Sequence, residues 1–169
     1  SSLIEDAVVG ESVSDLFGWG YLGSAANVTH NIVQEDGVNC LSLESDGLKN
    51  GYPGGTYYLY NTFYPVIGEG SISFDLKLNS GSLSLGLGDN VVTSSLYHAA
   101  FNLEFDAENN SIMCGDTVID GVYECNQWYN IDISFDVKNH ELFIKTDLSE
   151  TVLPFSDESI FFISNLTFY

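Results

Sequence analysis

Three carboxylates stand at alternate positions in the segment Glu104-Phe105-Asp106-Ala107-Glu108. Alternate residues of a β-strand point to the same side, so Glu104, Asp106 and Glu108 would share one face. Carboxylates held together in this way can exchange protons with a substrate or bind a metal ion. Asn109-Asn110 follows at once and favours a turn, which would place Glu108 at the edge of the strand. We therefore favour an acidic outward face without catalytic function, because such a match arises easily in so acidic a chain.

The same segment offers oxygen ligands for calcium. Asp106, Glu108 and Asn110 alternate as the ligands of calcium loops often do, although the further Glu and Gly of an EF-hand pattern are missing. Divalent cations also suit a chain with a formal net charge of −20. The alternative is that the charge only keeps an exported protein soluble. Ca²⁺ is the candidate cofactor, and these three residues are its candidate ligands.

The charge balance excludes two classes of partner. The chain has four Lys and Arg residues but 24 Asp and Glu residues, so its surface repels phosphate backbones and anionic lipid. A run of about 18 apolar residues, as membrane insertion requires, does not occur in the sequence. We expect neither nucleic acid nor membrane insertion, and the 169 residues suit a single domain, 1–169.

Three sequons favour a secreted or cell-surface protein. They begin at Asn27, Asn109 and Asn165 and would accept N-glycans. The start at Ser1-Ser2 lacks a charged and apolar leader, and we expect a mature or trimmed terminus.

The three cysteines allow one disulfide. Cys114 and Cys125 flank a segment with the turn signal Asp120-Gly121, so we expect the two to approach each other and form a bond. Cys40 would remain as a buried thiol or pair with another molecule.

Planar aromatic side chains are the residues that would bind a sugar, because the C–H face of a pyranose stacks on a ring. Trp19 and Tyr21 lie among glycines, and a tyrosine cluster surrounds Pro53-Gly54-Gly55. Alternation sends Tyr58 and Tyr60 to one side of a strand and Tyr57 to the other, so one set must be core. Trp128 is opposite in phase to the apolar residues that follow it, which predicts exposure.

Alternation of apolar and polar residues recurs along the whole chain and predicts an all-β fold. The segment 71–90 reads as a hairpin whose second face is nearly bare, with Ser73, Asp75, Ser84, Gly86 and Gly88. A bare strand face leaves room for a sugar chain or a neighbouring subunit, and Asp75 and Gly86 are candidate contacts.

Further strands are predicted between turn signals. They span 2–9, 28–34, 38–44, 56–63, 97–106, 111–114, 118–123, 128–137, 141–146 and 159–169. Only Glu11 to Phe17 could form a short helical turn. So many short antiparallel strands predict a two-sheet β-sandwich of jelly-roll type.

Seven segments carry a resemblance to a known fold family. Near the start Val9-Gly10 precedes Gly18-Trp19, and then come NCLSL at 39–43, ISFDLKLNSGSLSLGLGD, FNLEFDAENNSI, QWYNIDISFDVKNHELFIKTD and the closing FFISNLTFY. This order resembles the concanavalin A-like jelly-roll domains, which occur as lectins, laminin-G-like domains, glucanase folds and carbohydrate-binding modules. The resemblance implies a two-sheet β-sandwich and, in several of these groups, sugar binding.

The three alternating carboxylates also resemble the E-x-D-x-E strand of laminarinase and lichenase. That resemblance would make Glu104 the nucleophile, Asp106 its modulator and Glu108 the acid of a retaining glycosidase. Residues four apart on a strand lie about 13 Å apart at Cα, so both Glu side chains would have to lean inward to reach about 5 Å. Those enzymes usually have several Trp along their cleft, whereas this chain has two.

The sequence therefore predicts an extracellular carbohydrate-binding or adhesive module without catalytic activity. The alternative is a structural subunit of a surface assembly, in which the partner would be a neighbouring surface protein or a second copy. The apolar, low-charge segment at the C-terminus favours such strand pairing. A small glycosidase that uses Glu104 and Glu108 is the third interpretation.

Overall fold

Short β-strands make up most of the fold. The computed structural model describes residues 4, 6–91, 99–120 and 124–169. Its strands are β1 (Trp19–Gly23), β2 (Val28–Glu35), β3 (Val38–Ser45), β4 (Leu48–Lys49), β5 (Tyr52–Pro53), β6 (Tyr57–Val66), β7 (Glu69–Leu76), β8 (Ser82–Gly88), β9 (Ala99–Asp106), β10 (Ser111–Cys114), β11 (Thr117–Asp120), β12 (Tyr129–Asp136), β13 (Glu141–Thr146), β14 (Glu150–Pro154) and β15 (Ile163–Phe168). One turn of 3-10 helix, Val13–Asp15, lies within the predicted helical segment. Within the described residues we find no helix with the length and hydropathy of a membrane span.

The chain divides into two compact units. The first comprises Ser1–Thr62 together with Tyr169, and the second comprises Phe63–Phe168. In the first unit β1 pairs with β6, β2 pairs with β3 and β4 pairs with β5, all antiparallel. Val13, Ile32 and Leu59 are fully buried there. Strand β6 continues through the division between Thr62 and Phe63.

The second unit is a β-sandwich. One sheet has the order β14-β13-β12-β7, and the other carries β15-β8-β9-β10-β11 in that order. Apolar side chains from both sheets enter a common core, and along β12 and β13 every second residue is buried. Its members include Leu85, Leu87, Phe101, Leu103 and Phe105 on one side and Ile131, Ile133, Phe135, Leu142 and Ile144 on the other. Burial of these side chains is the main source of stability, and it confirms the predicted two-sheet antiparallel fold.

The segment 71–90 is a crossover between the sheets, so the predicted hairpin is wrong. Strand β7 pairs with β12, whereas β8 pairs with β9 and β15. Two strands that send alternate residues into one core show the same pattern whether they share a sheet or face each other. The predicted bare face is therefore split between the sheets. Ser73 and Asp75 are exposed on β7, whereas Gly86 and Gly88 are buried on β8.

Two turns of the same construction close the hairpins β9–β10 and β12–β13. Asp106 accepts hydrogen bonds from the backbone N–H groups of Glu108 and Asn109 and from the Asn109 side chain, at 2.8, 3.1 and 2.6 Å. Asp136 accepts the equivalent bonds from Lys138 and Asn139. In both turns the pKa of the Asp lies below its usual range, and the hydrogen bond from the Asn side chain is the largest cause. The Asp side chains thereby hold the strand registers.

Several predicted strands differ from the structure. The described part of 2–9 forms turns, and β1 and β14 were not predicted. Strand β1 contains glycines, which lower strand propensity, but the Tyr60 ring packs over Gly20. A Cβ at Gly20 would come within 2.6 Å of the Tyr60 hydroxyl oxygen. Cross-strand packing of this kind overrides local propensity.

We predict that Ile133→Ala lowers the free energy of unfolding by about 2 to 5 kcal/mol, because it leaves a cavity in the core. Ile133 is fully buried and lies in register with Ile72 on β7 and Ile144 on β13. Ser134→Ala, at the exposed neighbouring position, should change it by less than about 0.5 kcal/mol. Urea unfolding measures both values. Equal effects of the two substitutions would contradict the assignment of inward and outward residues.

Candidate functional site

The outward side of the sheet β14-β13-β12-β7 is a continuous polar surface, which we call the polar face. Along each of these strands the residues of the polar face alternate with inward residues that contact the core. The members of the polar face are exposed or half-buried. They are Glu69, Ser71, Ser73, Asp75, Lys77, Trp128, Asn130, Asp132, Ser134, Asp136, Glu141, Phe143, Lys145, Glu150 and Val152.

A shallow depression of about 430 Å³ crosses β7, β12 and β13 at one end of the polar face. We call it the trough. Ser71 lies opposite Ser134, and Ser134 lies opposite Phe143, so small hydroxyl side chains form its floor beside an aromatic ring. Glu69 and Glu141 flank Asp136 in the adjoining row. The small floor residues leave the space that larger side chains would fill.

The other end of the polar face carries Trp128, with 41% of its surface exposed. The Lys77 ammonium lies 5.3 Å from the centre of the Trp128 ring, a cation–π contact that favours one orientation of the ring. Beside them the Asn130 side chain donates a hydrogen bond to Asp75 at 3.0 Å. The structure thus places two predicted contact residues, Trp128 and Asp75, on neighbouring rows of one surface. Lys77, Asn130 and Phe143 were missed, because only the strand register reveals them.

A second aromatic group lies in the first unit. The Tyr21 ring, 56% exposed, lies with its centroid 4.8 Å from that of His30 and 6.2 Å from that of Tyr57. The Tyr57 hydroxyl is hydrogen-bonded to His30 Nδ1 at 2.8 Å, and His30 Nε2 to the Ser14 hydroxyl at 3.2 Å. Sequence spacing indicated no role for His30, since Ser14, His30 and Tyr57 belong to separate elements. The hydrogen bonds order these rings behind Tyr21.

Burial changes the pKa values in this group. Desolvation lowers the pKa of His30, and the Asp15 carboxylate opposes this effect in part. Burial, followed by the neighbouring Tyr21, raises the pKa of Tyr57 well above its usual range. Both side chains are therefore neutral at pH 7.

Two of the predicted ligand-binding residues are buried, so those predictions are wrong. Tyr58 is only 6% exposed, and its ring packs against Tyr169 with centroids 5.6 Å apart. Gly86 is buried in β8 between Thr167 and Asn102. Trp19 and Tyr60 are half-buried on β1 and β6. Tyr58 and its neighbour Leu59 are both buried, so burial in this part of β6 does not follow the alternation of the strand.

The three alternating carboxylates are not assembled into a site. Glu104 is exposed on β9 opposite Ser84 and Met113, whereas Glu108 lies beyond the end of the strand, in the turn. The Asp106 carboxylate is already bonded to that turn through both oxygens. The Asp106 carboxylate thus orders the turn, and calcium binding by Asp106, Glu108 and Asn110 stays a prediction. No group of three His, Cys, Asp or Glu residues suited to a metal ion occurs among the residues that the structure describes.

The predicted disulfide is absent. Cys40, Cys114 and Cys125 are all free thiols. The chain turns directly after Cys114, which pairs with Thr117, and β11 then leads away from it. The turn signal Asp120-Gly121 is only partly within the described residues. Burial raises the pKa of Cys114, with a smaller opposing effect of the Asn102 backbone N–H. Burial also raises the pKa of Cys40, with Asp36 adding to it.

The sequons differ in exposure. Asn27 and Asn109 are exposed, whereas Asn165 is 5% exposed within β15. A glycan cannot be attached to a side chain enclosed by a folded sheet. The prediction for Asn165 is therefore wrong for the folded protein.

We predict that His30 makes stability depend on pH. Its lowered pKa means that the folded chain binds fewer protons than the unfolded chain as the pH falls through about 6.5, so stability is lost between pH 7 and 5. The difference in unfolding free energy between the natural chain and His30→Gln should then fall over this range. Urea unfolding at several pH values measures it, with His140→Gln as the control for loss of an imidazole. A difference that stays constant with pH would contradict this role of His30.

Comparisons with solved structures agree on the fold, whereas comparisons of the sequence find no match. No protein-family model and no curated protein matches the sequence. Among solved structures, a sialidase aligns with 93% of this chain at a TM-score of 0.65 and 15% identity, and the chain spans only 14% of that protein. A Bacillus subtilis protein of unknown function with a galectin-like fold aligns with 93% of this chain and 84% of its own, at a TM-score of 0.52 and 14% identity.

A third solved structure, basic winged bean lectin with Tn-antigen, aligns with 95% of this chain and 85% of its own, at a TM-score of 0.51 and 10% identity. At these identities the likeness shows the fold alone. The chain has the concanavalin A-like jelly-roll fold, as the order of its sequence segments predicted.

Proposed function

We propose that the protein is a non-catalytic carbohydrate-binding module of the cell surface or the extracellular space. The observation that carries this proposal is the polar face, with the trough at one end and Trp128 at the other. Fold neighbours support it, since one of them is a lectin in complex with a sugar antigen.

The polar face has the chemistry that a sugar requires. The hydroxyls of Ser71 and Ser134 can donate to and accept from sugar hydroxyls, and the carboxylates of Glu69 and Glu141 accept from them. The rings of Phe143 and Trp128 offer apolar surfaces to the C–H faces of a pyranose. A shallow surface of this kind does not enclose its ligand, so a polymer can extend beyond it.

The absence of catalysis is part of the proposal. Glu104 and Glu108 do not share a strand face, so the retaining arrangement that their spacing suggested has no support. Release of reducing sugar by the natural chain, lost in Glu104→Gln, would overturn this part.

Location and modification follow from the surface. The sequons at Asn27 and Asn109 are exposed, and we propose that these two carry N-glycans where the source attaches them. The charge of −20 suits a protein that must remain soluble outside the cell. Mass spectrometry of the natural protein tests this, and an unmodified chain found only inside the cell would contradict it.

We also propose that the two compact units belong to one domain, because strand β6 runs through both. Urea unfolding followed by tryptophan fluorescence and by circular dichroism should then show one shared transition. Trp19 lies in the first unit and Trp128 in the second, so separate transitions would be visible and would contradict the proposal.

Self-assembly is the second candidate, favoured by exposed apolar side chains in each unit. Phe17 and Tyr52 are largely exposed in the first unit, as are Tyr64 and Phe161 in the second. Exposed apolar side chains of this kind also occur where proteins bind each other. A particle much larger than 18.5 kDa in light scattering would favour a structural subunit, whereas a monomer would leave the binding module as the function.

We predict that Trp128→Ala weakens binding to a glycan bound by the natural chain by about 10-fold, since one stacking contact is worth about 1 to 2 kcal/mol. Phe143→Ala, at the trough, should have a similar effect. Tyr64→Ala, an exposed aromatic residue outside the polar face, is the matched control. A glycan array selects the ligand, and titration calorimetry measures the affinities.

The same titration with a chelator tests for calcium. Unchanged binding is expected, because the candidate calcium ligands Asp106, Glu108 and Asn110 lie on β9 and the turn after it, outside the polar face. Binding that is lost with the chelator would assign a metal to the site.

Equal losses in Tyr64→Ala and Trp128→Ala would contradict the placement of the site on the polar face.

A further inference from the structure

The polar face joins the trough to Trp128 by an unbroken track along β7 and β12. The cross-strand pairs are Ser71 with Ser134, Ser73 with Asp132 and Asp75 with Asn130, followed by Lys77 beside Trp128. Ser71, Ser73 and Ser134 are small and exposed. Nothing large therefore separates the two ends along these strands, and polar groups are available at every step.

The track is long compared with a single sugar ring. Six residues separate Ser134 in the trough from Trp128, which corresponds to about 20 Å along a strand. One hexose cannot touch both ends. A ligand that uses the Phe143 ring and the Trp128 ring together must be an extended chain.

Charge restricts the class of that chain. Carboxylates border the track at Glu69, Asp132 and Glu141, and the net charge of the whole protein is −20. Of the nearby cations, Lys77 lies on Trp128, and Lys145 pairs with Glu150 at 3.6 Å. Lys138, in the turn after β12, helps to lower the pKa of Asp136 and is therefore opposed by that carboxylate. Sulfated or uronic acid chains would be repelled, whereas the hydroxyls of an uncharged chain can donate to these carboxylates.

We propose that the polar face binds an extended, uncharged oligosaccharide that lies parallel to β7 and β12. One ring rests in the trough beside Phe143, and another rests at Trp128. The proposal rests on the function proposed above and adds the ligand class, its direction and its minimum length. Once one end of the ligand is bound, its other end is present at a high effective concentration near the second contact. Affinity therefore rises with chain length until the ligand reaches both ends of the track.

The experiment is a titration with linear gluco-, manno- and galacto-oligosaccharides of two to eight units. In the series that binds, affinity should increase at least 10-fold from the disaccharide to a chain that spans the track, and then remain constant. Trp128→Ala and Phe143→Ala should each remove this gain. In each variant the disaccharide should still bind to the end of the track that is unchanged. Tyr64→Ala should retain the whole length dependence.

Each outcome decides a separate point. A disaccharide that binds as tightly as the octasaccharide overturns the extended ligand and leaves the carbohydrate-binding function in place. A sulfated octasaccharide that binds as tightly as its neutral counterpart overturns the uncharged class. Failure of all three series to bind overturns both this inference and the proposed function.

Discussion

The packing of two apolar strand faces against each other is the interaction on which the second unit depends. Ile131, Ile133 and Phe135 on β12 point into the core shared with the opposing sheet. Since side chains alternate along a strand, burial of this set sends Asn130, Asp132 and Ser134 outward. The polar face is therefore a direct consequence of the core. A shift of register by one residue would bury the polar set and destroy both.

The second constraint is the register between neighbouring strands. The turn at Asp136 joins β12 to β13 so that Ser134 lies opposite Phe143. The pairing of β7 with β12 likewise brings Ser71 beside Ser134. The trough exists because two small residues and one ring meet on adjacent strands. None of the three is unusual alone, and the site is a property of their arrangement.

The sequence was sufficient for the strands but not for their assignment to sheets. Alternation located β10 and β13 to the residue, and the turn that Asn109-Asn110 indicated after β9 was correct. It could not show that β7 and β8 lie in opposite sheets, because both present apolar residues to one core. This error placed Gly86 on the candidate surface, although it is buried.

The candidate site was predictable only in part for the same reason. The phase of Trp128 against its strand correctly indicated exposure, and Asp75 lies on the same face. Tyr58 and Tyr57 illustrate the limit, since both strand faces carry tyrosine and only the packing decides which ring is enclosed. Phe143 and Lys77 have no sequence signal, because their partners are distant in the chain and close only in the sheet.

The polar face is the surface proposed to hold the ligand. The most direct test is an NMR titration of the labelled protein with an oligosaccharide that binds, following the backbone amides. Binding at the polar face should shift amide signals in a continuous band from Ser71, Ser134 and Phe143 to Asn130 and Trp128. Shifts confined to Tyr21 and His30 in the first unit, with the polar face unchanged, would contradict it.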